Sequence, residues 1–225
     1  LDNNRAPALD DLYQLDWTAV GPAGTPDLSG WAVVGSAEAA TRVGVQAVHP
    51  DLGALLDSSD GPTGTVALVL DTPPGVRLAA EVHEATTATL ALLQRWLADE
   101  RHAGARLVLV TTGAVSAVPS GHDLTGLAHS PLWGLVRSAQ AEHHDRFVLV
   151  DVDGPDALSL VPAAVATGEN QIAVRGDRLL VPRLARLSST AALITPADDA
   201  TPWHVEAGAD GSLDSLTVVA TQRPE

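Results

Sequence analysis

The chain has 225 residues, 45% of them hydrophobic, and a formal net charge of −15. That length can bury one sizeable α/β core with a small appendage. The acid excess argues against a nucleic-acid partner, whose recognition rests on clustered Arg and Lys. There is no Cys, which removes disulfides, thiolate metal sites and a Cys nucleophile. All 13 basic residues are Arg and there is no Met, so the chain is expected to be a piece of a longer polypeptide. No apolar run approaches the ~18 residues of a membrane span, and no basic-then-apolar start suggests a signal peptide. No membrane partner and a cytoplasmic location are therefore expected.

Leu12–Val20 (LYQLDWTAV) alternates apolar and polar residues as a half-buried strand does. Gly21–Gly30 is rich in Gly and Pro and reads as a loop. Trp31–Gly35 and Val43–His49 read as short strands, with a helical turn or two at Ser36–Arg42 capped by Ser36. Asp51–Asp57 reads as a second short helix. Thr65–Leu70 (TVALVL) and Arg106–Val110 (RLVLV) are continuous apolar runs that suit parallel strands buried on both faces. Between them, Val76–Arg101 carries Leu78, Val82, Ala85, Leu90, Leu93 and Leu97 at helical spacing.

Leu127–Glu142 reads as a helix, Phe147–Val152 as a strand, and Asp156–Ala166 as a helix ended by Gly168. Gln171–Val174 and Arg178–Val181 flank Gly176-Asp177, a tight hairpin turn. Strands alternating with helices predict βαβ units: an α/β, truncated Rossmann-like, doubly wound and mainly parallel sheet over residues 1–187. Residues 188–202, rich in Ser, Thr, Ala, Pro and Asp, read as a linker. Trp203–Thr221 then reads as two strands across a Gly-Ala-Asp-Gly turn, a short β-rich extension over 203–225.

Few residues offer chemistry. A dinucleotide site needs a Gly-rich turn after its first strand, so that the backbone can approach the pyrophosphate at a helix N-terminus. The candidates are Val34-Gly35-Ser36-Ala37 and Thr111-Thr112-Gly113-Ala114, each with one Gly and neither a full fingerprint. An ordinary strand-to-helix turn explains both. Reduction with a Tyr acid needs a Lys to lower its pKa; the single Tyr13 has none. His143-His144-Asp145 sits where a helix ends, and adjacent side chains there diverge, so a solvated C-terminus explains them better than a metal site.

Ser116 and Ser120 lie near His122 and Asp123, but there is no G-x-S-x-G elbow. Trp17, Trp31, Trp96, Trp133 and Trp203 are spread one to an element, which fits anchoring rather than a ligand box. Trp133 is expected to pack on the sheet, with Gly134 permitting close approach. No catalytic, cofactor-binding or metal-ligating residue is assigned.

Several segments, in order, resemble the ketoreductase domain of modular type I polyketide synthases: Leu12–Trp17 (LYQLDW), Leu107–Gly113 (LVLVTTG), Leu132–Glu142 (LWGLVRSAQAE), Arg146–Asp153 (RFVLVDVD) and Arg178–Leu187 (RLLVPRLARL). The resemblance covers about residues 10–187. It implies the first, structural half of a two-half domain, bracing a second half that binds NADPH and carries the Ser, Tyr, Lys and Asn catalytic set. No position here matches those active-site motifs, so the resemblance implies a fragment that is no enzyme alone and binds no cofactor.

In simple reducing modules the second half follows soon after the Pro-Arg-Leu-Ala-Arg stretch, here Pro182–Arg186, with a T-G-G-x-G turn. Here Trp203–Thr221 follows instead, and Gly211–Leu216 (GSLDSL) resembles the opening of an enoylreductase domain. The implied partners are the catalytic half, that enoylreductase and the acyl carrier protein of the module. The structural half is expected to pack against the catalytic half, and the opening strand Leu12–Thr18 to pair with a strand from downstream of residue 225. Two alternatives remain: an autonomous divergent dehydrogenase or hydrolase with an unrecognised site, and a module regulating another protein.

Overall fold

The computed structural model describes residues 13–58, 64–70, 77–118, 124–186, 202–208 and 216–221. In chain order the elements are β1 (Tyr13–Val20), β2 (Trp31–Val34), α1 (Ala37–Val43), β3 (Val48–His49), α2 (Leu52–Asp57), β4 (Thr65–Val69), α3 (Leu78–Ala98) and β5 (Arg106–Thr112). There follow α4 (Ser130–Glu142), β6 (Phe147–Val152), α5 (Val161–Ala166), β7 (Gln171–Arg175), β8 (Arg178–Arg186), β9 (Trp203–Glu206) and β10 (Thr217–Ala220).

One sheet has the order β1-β8-β7-β6-β5-β4-β2-β3. From β3 through β7 every pairing is parallel, and β8 returns antiparallel to β7. This is the expected Rossmann-like, mainly parallel α/β sheet. Continuous apolar runs become strands because both faces are covered. Leu107, Leu109, Phe147 and Leu149 point to one face, where Leu52, Leu55 and Leu56 of α2, Leu93 and Trp96 of α3, and Trp133 and Val136 of α4 meet them. Val108, Val110, Val148, Val150 and Val152 point to the other, against Ala39, Ala40 and Val43 of α1 and Val161, Ala164 and Val165 of α5. Each fully buried Val, Leu or Phe among these contributes roughly 1.5–3 kcal/mol of transfer free energy.

The faces differ in their connections. The crossovers from β2, β3, β4 and β5 share one hand: β2 steps one way under α1, and the others step the opposite way under α2, α3 and α4 on the opposite face. The step from β6 to β7 runs in the direction of β4 to β5 but carries α5 on the face of α1, so it has the opposite hand. Roughly 98% of such connections share a single hand. Here the exception supplies the apolar cover that the seven-residue α1 cannot extend over β6 and β7.

Local chemistry sets the element ends. Ser36 caps α1 by accepting from the Ala39 N–H at 3.1 Å. Gly44, at φ +85°, closes it in the left-handed conformation, its N–H reaching the carbonyls of Ala40 and Thr41. That cap corrects the strand expected over Val43–His49: Val43 ends the helix, and only Val48–His49 pair with β2. The helix expected at Asp156–Ala166 begins instead as a 3-10 stretch, Pro155–Leu160, before α5. Gly168 (φ +78°) follows α5, and Gly176 (φ +59°) makes the β7–β8 turn, as expected. Gly134 is corrected: it faces solvent, with nothing near the space its Cβ would fill.

The chain divides into two compact units, Leu15–Arg183 and Leu1–Gln14 with Leu184–Glu225. The second contains the antiparallel pair β9–β10, registered Glu206 with Thr217 and Trp203 with Ala220. The expected Gly-Ala-Asp-Gly turn between them lies outside the described residues beyond Gly208. The expected linker at 188–202 lies outside the described residues except for Pro202.

Candidate functional site at the carboxyl ends of the strands

An open α/β sheet binds ligands where consecutive crossovers leave in opposite directions. Here that point lies between β2 and β4, which are neighbours whose chains proceed to β3 and β5. A cavity of about 230 Å³ sits there, lined by residues including Ser36, Glu38, Arg42, Leu70, Thr112 and Leu158. The Gly35 candidate directly precedes Ser36 of this lining, at φ +148°, where an added Cβ would meet the Val69 carbonyl oxygen at 3.4 Å.

The residues at this point do not fit a pyrophosphate. Ser36 already occupies the α1 N-terminus, and Glu38 in the first turn places a largely exposed carboxylate where phosphate charge would settle. Arg42, the cation in the lining, is held by Glu38 at 2.9 Å and by Asp156. These hydrogen bonds, Glu38 first, raise the Arg42 pKa further above its ordinary value. Two carboxylates against one guanidinium leave the crevice mouth acidic.

Farther along the same edge, the ends of β5, β6 and β7 hold a buried polar cluster that the sequence reading missed. Asp151 on β6 has no exposed surface and Arg175 on β7 almost none. Asp151 Oδ1 accepts from Thr111 Oγ1 at 2.6 Å and from the Ala114 N–H at 2.8 Å. Its Oδ2 accepts from an Arg175 guanidinium nitrogen at 2.7 Å. Arg175 also donates to the Asp151, Val174 and Val115 carbonyls. Trp133 Nε1–H donates to Thr111 Oγ1 at 3.1 Å. Burial pushes the Asp151 carboxyl above the ordinary carboxylate range, against the pull of Thr111, Ala114 and Arg175.

The Gly113 candidate belongs to this cluster. Gly113, at φ +60°, donates to the Val152 carbonyl and accepts from the Gly126 N–H at 2.7 Å. A Cβ on Gly126 would overlap the Thr112 carbonyl oxygen. The close approach that small residues permit is thus made to the chain's own backbone. One acid inside the apolar run of β6 was the available signal, because a buried charge needs a partner.

The remaining candidates are scattered. Tyr13 is half exposed at the start of β1, with the Arg186 guanidinium 5.7 Å from its ring centre. Ser116 is exposed and contacts the Val118 carbonyl; Ser120, His122 and Asp123 lie outside the described residues. His143 closes α4 through its N–H to the Ala139 carbonyl, and Asp145 follows at φ +65°. Among the described residues, no three His, Asp or Glu side chains gather as a metal site would require. No described helix is long and apolar enough to cross a membrane. Trp96 and Trp133 are core residues and Trp31 nearly so, while Trp203 is half exposed on β9.

Comparison with known proteins agrees with this geometry. The model of the family described as polyketide synthase extender module SpnB, Rossmann fold domain, matches residues 15–184. Polyketide synthase GfsB of Streptomyces halstedii is 44% identical over 92% of this chain and 4% of its own length. Polyketide synthase GfsE of the same organism is 45% identical over 92% of this chain and 6% of its own. The chain thus spans only a few per cent of these relatives.

Among solved structures, a C2-type ketoreductase from a modular polyketide synthase superposes with a TM-score of 0.60 at 29% identity, over 82% of this chain and 45% of that one. A structure of A-type ketoreductases from a modular polyketide synthase gives 0.57 at 26%, over 87% and 46%. With the sheet order, the crevice and the sequence match in agreement, the chain belongs to the Rossmann fold domain family of polyketide synthase extender modules, in their ketoreductase region.

Proposed function

We propose that this chain is the structural, non-catalytic half of an NADPH-dependent ketoreductase that reduces a β-ketoacyl group held on an acyl carrier protein. The observation that carries the reading is the crevice between β2 and β4. It has the position of a dinucleotide site but holds Glu38, Asp156 and a committed Arg42 in place of a glycine-rich anion cradle. The absence of Lys from the whole chain supports it, because the Tyr acid of such a reduction needs one.

On this reading residues 1–187 form the structural subdomain, 188–202 a linker, and 203–225 the first strands of an enoylreductase. The last assignment rests on the resemblance of Gly211–Leu216 and on the β9–β10 pair. The partners are the catalytic half, the enoylreductase and the carrier protein, in the cytoplasm. Strand β1 ends the sheet order, and its Leu15 is half exposed; it is the strand offered to the catalytic half. NADPH in that half supplies the hydride, and residues of this chain hold the other half in place.

Titrating the chain alone with NADPH, followed by nucleotide fluorescence, tests the reading. No saturable change is expected. Tight binding would overturn the reading and return Gly35 and Gly113 to consideration as nucleotide turns.

A further inference from the structure

On the face that carries α2, α3 and α4, no helix among the described residues enters the small cluster over β7 and β8. Ala173 and Leu180, which pair across these strands, are covered instead by Ala117 and Val115 from the segment after β5 and by Trp17 from β1. A loop and one aromatic ring do there what a helix does elsewhere.

Both covers trace back to the buried cluster. Asp151 accepts from the Ala114 N–H, Arg175 donates to the Val115 carbonyl at 2.7 Å, and Ser130 Oγ donates to the Ala114 carbonyl at 2.6 Å. The Trp17 ring stands edge-on to the Trp133 ring, with centres 6.1 Å apart and planes at 67°. Such an aromatic pair adds specific geometry to its area burial. Trp133 in turn is oriented by its N–H on Thr111, which donates to Asp151. A continuous path of short contacts therefore runs from the Asp151–Arg175 pair through Thr111 and Trp133 to the middle of β1.

We infer that the Asp151–Arg175 cluster is a positioning device for strand β1, fixing through Thr111, Trp133 and Trp17 the edge that meets the catalytic half. The assignment of that edge rests on the function proposed above; the positioning itself does not. A buried, fully hydrogen-bonded pair suits the task. It sets one geometry by direction as well as by area, whereas apolar cover from a loop alone would allow sliding. Thr111, Trp133 and Trp17 are positioning residues: each acts on the edge through its neighbour.

Hydrogen exchange of the whole chain, with no partner added, tests this. Thr111→Val keeps the shape and removes both hydrogen bonds. It is expected to speed exchange of the slow amides within Leu15–Val20 by about tenfold while those of Thr65–Val69 keep their wild-type rates. Thr111→Ser, which keeps the oxygen, is expected to restore slow exchange, a rescue that loss of packing alone would not give. Trp133→Phe removes the N–H and is expected to show the same selective effect; it decides the matter if the valine variant loses its fold. Wild-type exchange in β1 of a folded Thr111→Val or Trp133→Phe chain would overturn the inference and leave the docking reading untouched. The docking reading is tested separately by adding a catalytic half to the wild-type chain: no added protection of β1 there, beside selective loosening in the variants, would keep the inference and overturn that reading.

Discussion

Two ionic clusters lie on the carboxyl edge of the same sheet and have opposite fates. At the split between β2 and β4, Arg42, Glu38 and Asp156 pair in water, where ion pairs add little to stability and salt weakens them further. At the ends of β5, β6 and β7, Asp151 and Arg175 pair in the interior with their other valences filled by Thr111, Ala114 and backbone carbonyls. The first cluster sets two carboxylates against one guanidinium at the mouth of the crevice. The second turns the neighbouring strand ends into core. On the proposed reading, both features disfavour a nucleotide at this edge, one by charge at the mouth and the other by closure alongside.

The comparison can be broken by mutation. The largest effect is expected from splitting the buried pair: Asp151→Ala should cost about 3–5 kcal/mol in urea unfolding, because it strands a buried guanidinium. Replacing both partners, Asp151→Leu with Arg175→Met, should recover most of that loss. If the single variant unfolds at the wild-type midpoint, the pair does not hold the core. Gly126→Ala comes next, at roughly 1–3 kcal/mol, since its Cβ would meet the Thr112 carbonyl. Ser36→Ala should cost about 1 kcal/mol through the lost α1 cap, and NADPH binding should remain absent. Asp145→Gly should raise the thermal midpoint slightly, gaining up to about 1 kcal/mol from the left-handed backbone at φ +65°.

A pH measurement sharpens the contrast at the other end of the sheet. The side-chain hydrogen bond from Arg101 holds the Asp99 carboxyl well below its ordinary value, joined by contacts from His102 and the Arg101 N–H. A carboxyl with a depressed folded pKa gives stability that is present above its unfolded value and lost as pH falls through the folded one. Acid unfolding of Asp99→Asn should therefore show a smaller loss of stability between neutral pH and the acid limb than the unmodified chain. Equal losses in both proteins would remove Asp99 from the acid response.

The fold was legible where burial on both faces leaves a continuous apolar run, as in Thr65–Val69, Arg106–Thr112 and Phe147–Val152. It was legible again where a residue has one conformational use, as Gly168 and Gly176 do. It failed at Val43–His49, where apolar character was shared between a helix end and a strand and the Gly44 cap decided between them. Gly35 and Ser36 marked one of two candidate turns, but the acidity beside them was not legible: Asp156 meets Arg42 from far along the chain. The buried cluster was hidden for the same reason. Thr111 lies 40 residues and Arg175 24 residues from Asp151, and no local pattern relates them. Gly126 carries no signal because its necessity comes from the Thr112 carbonyl across the loop.

Reconstitution tests the central claim most directly: the rate of NADPH-dependent ketone reduction by a separately expressed catalytic half, measured with and without this chain. The account predicts that reduction appears, or rises steeply, only on mixing, and saturates at one chain per catalytic half. Reduction by this chain alone, or a catalytic half whose rate and stability are indifferent to its addition, would contradict it.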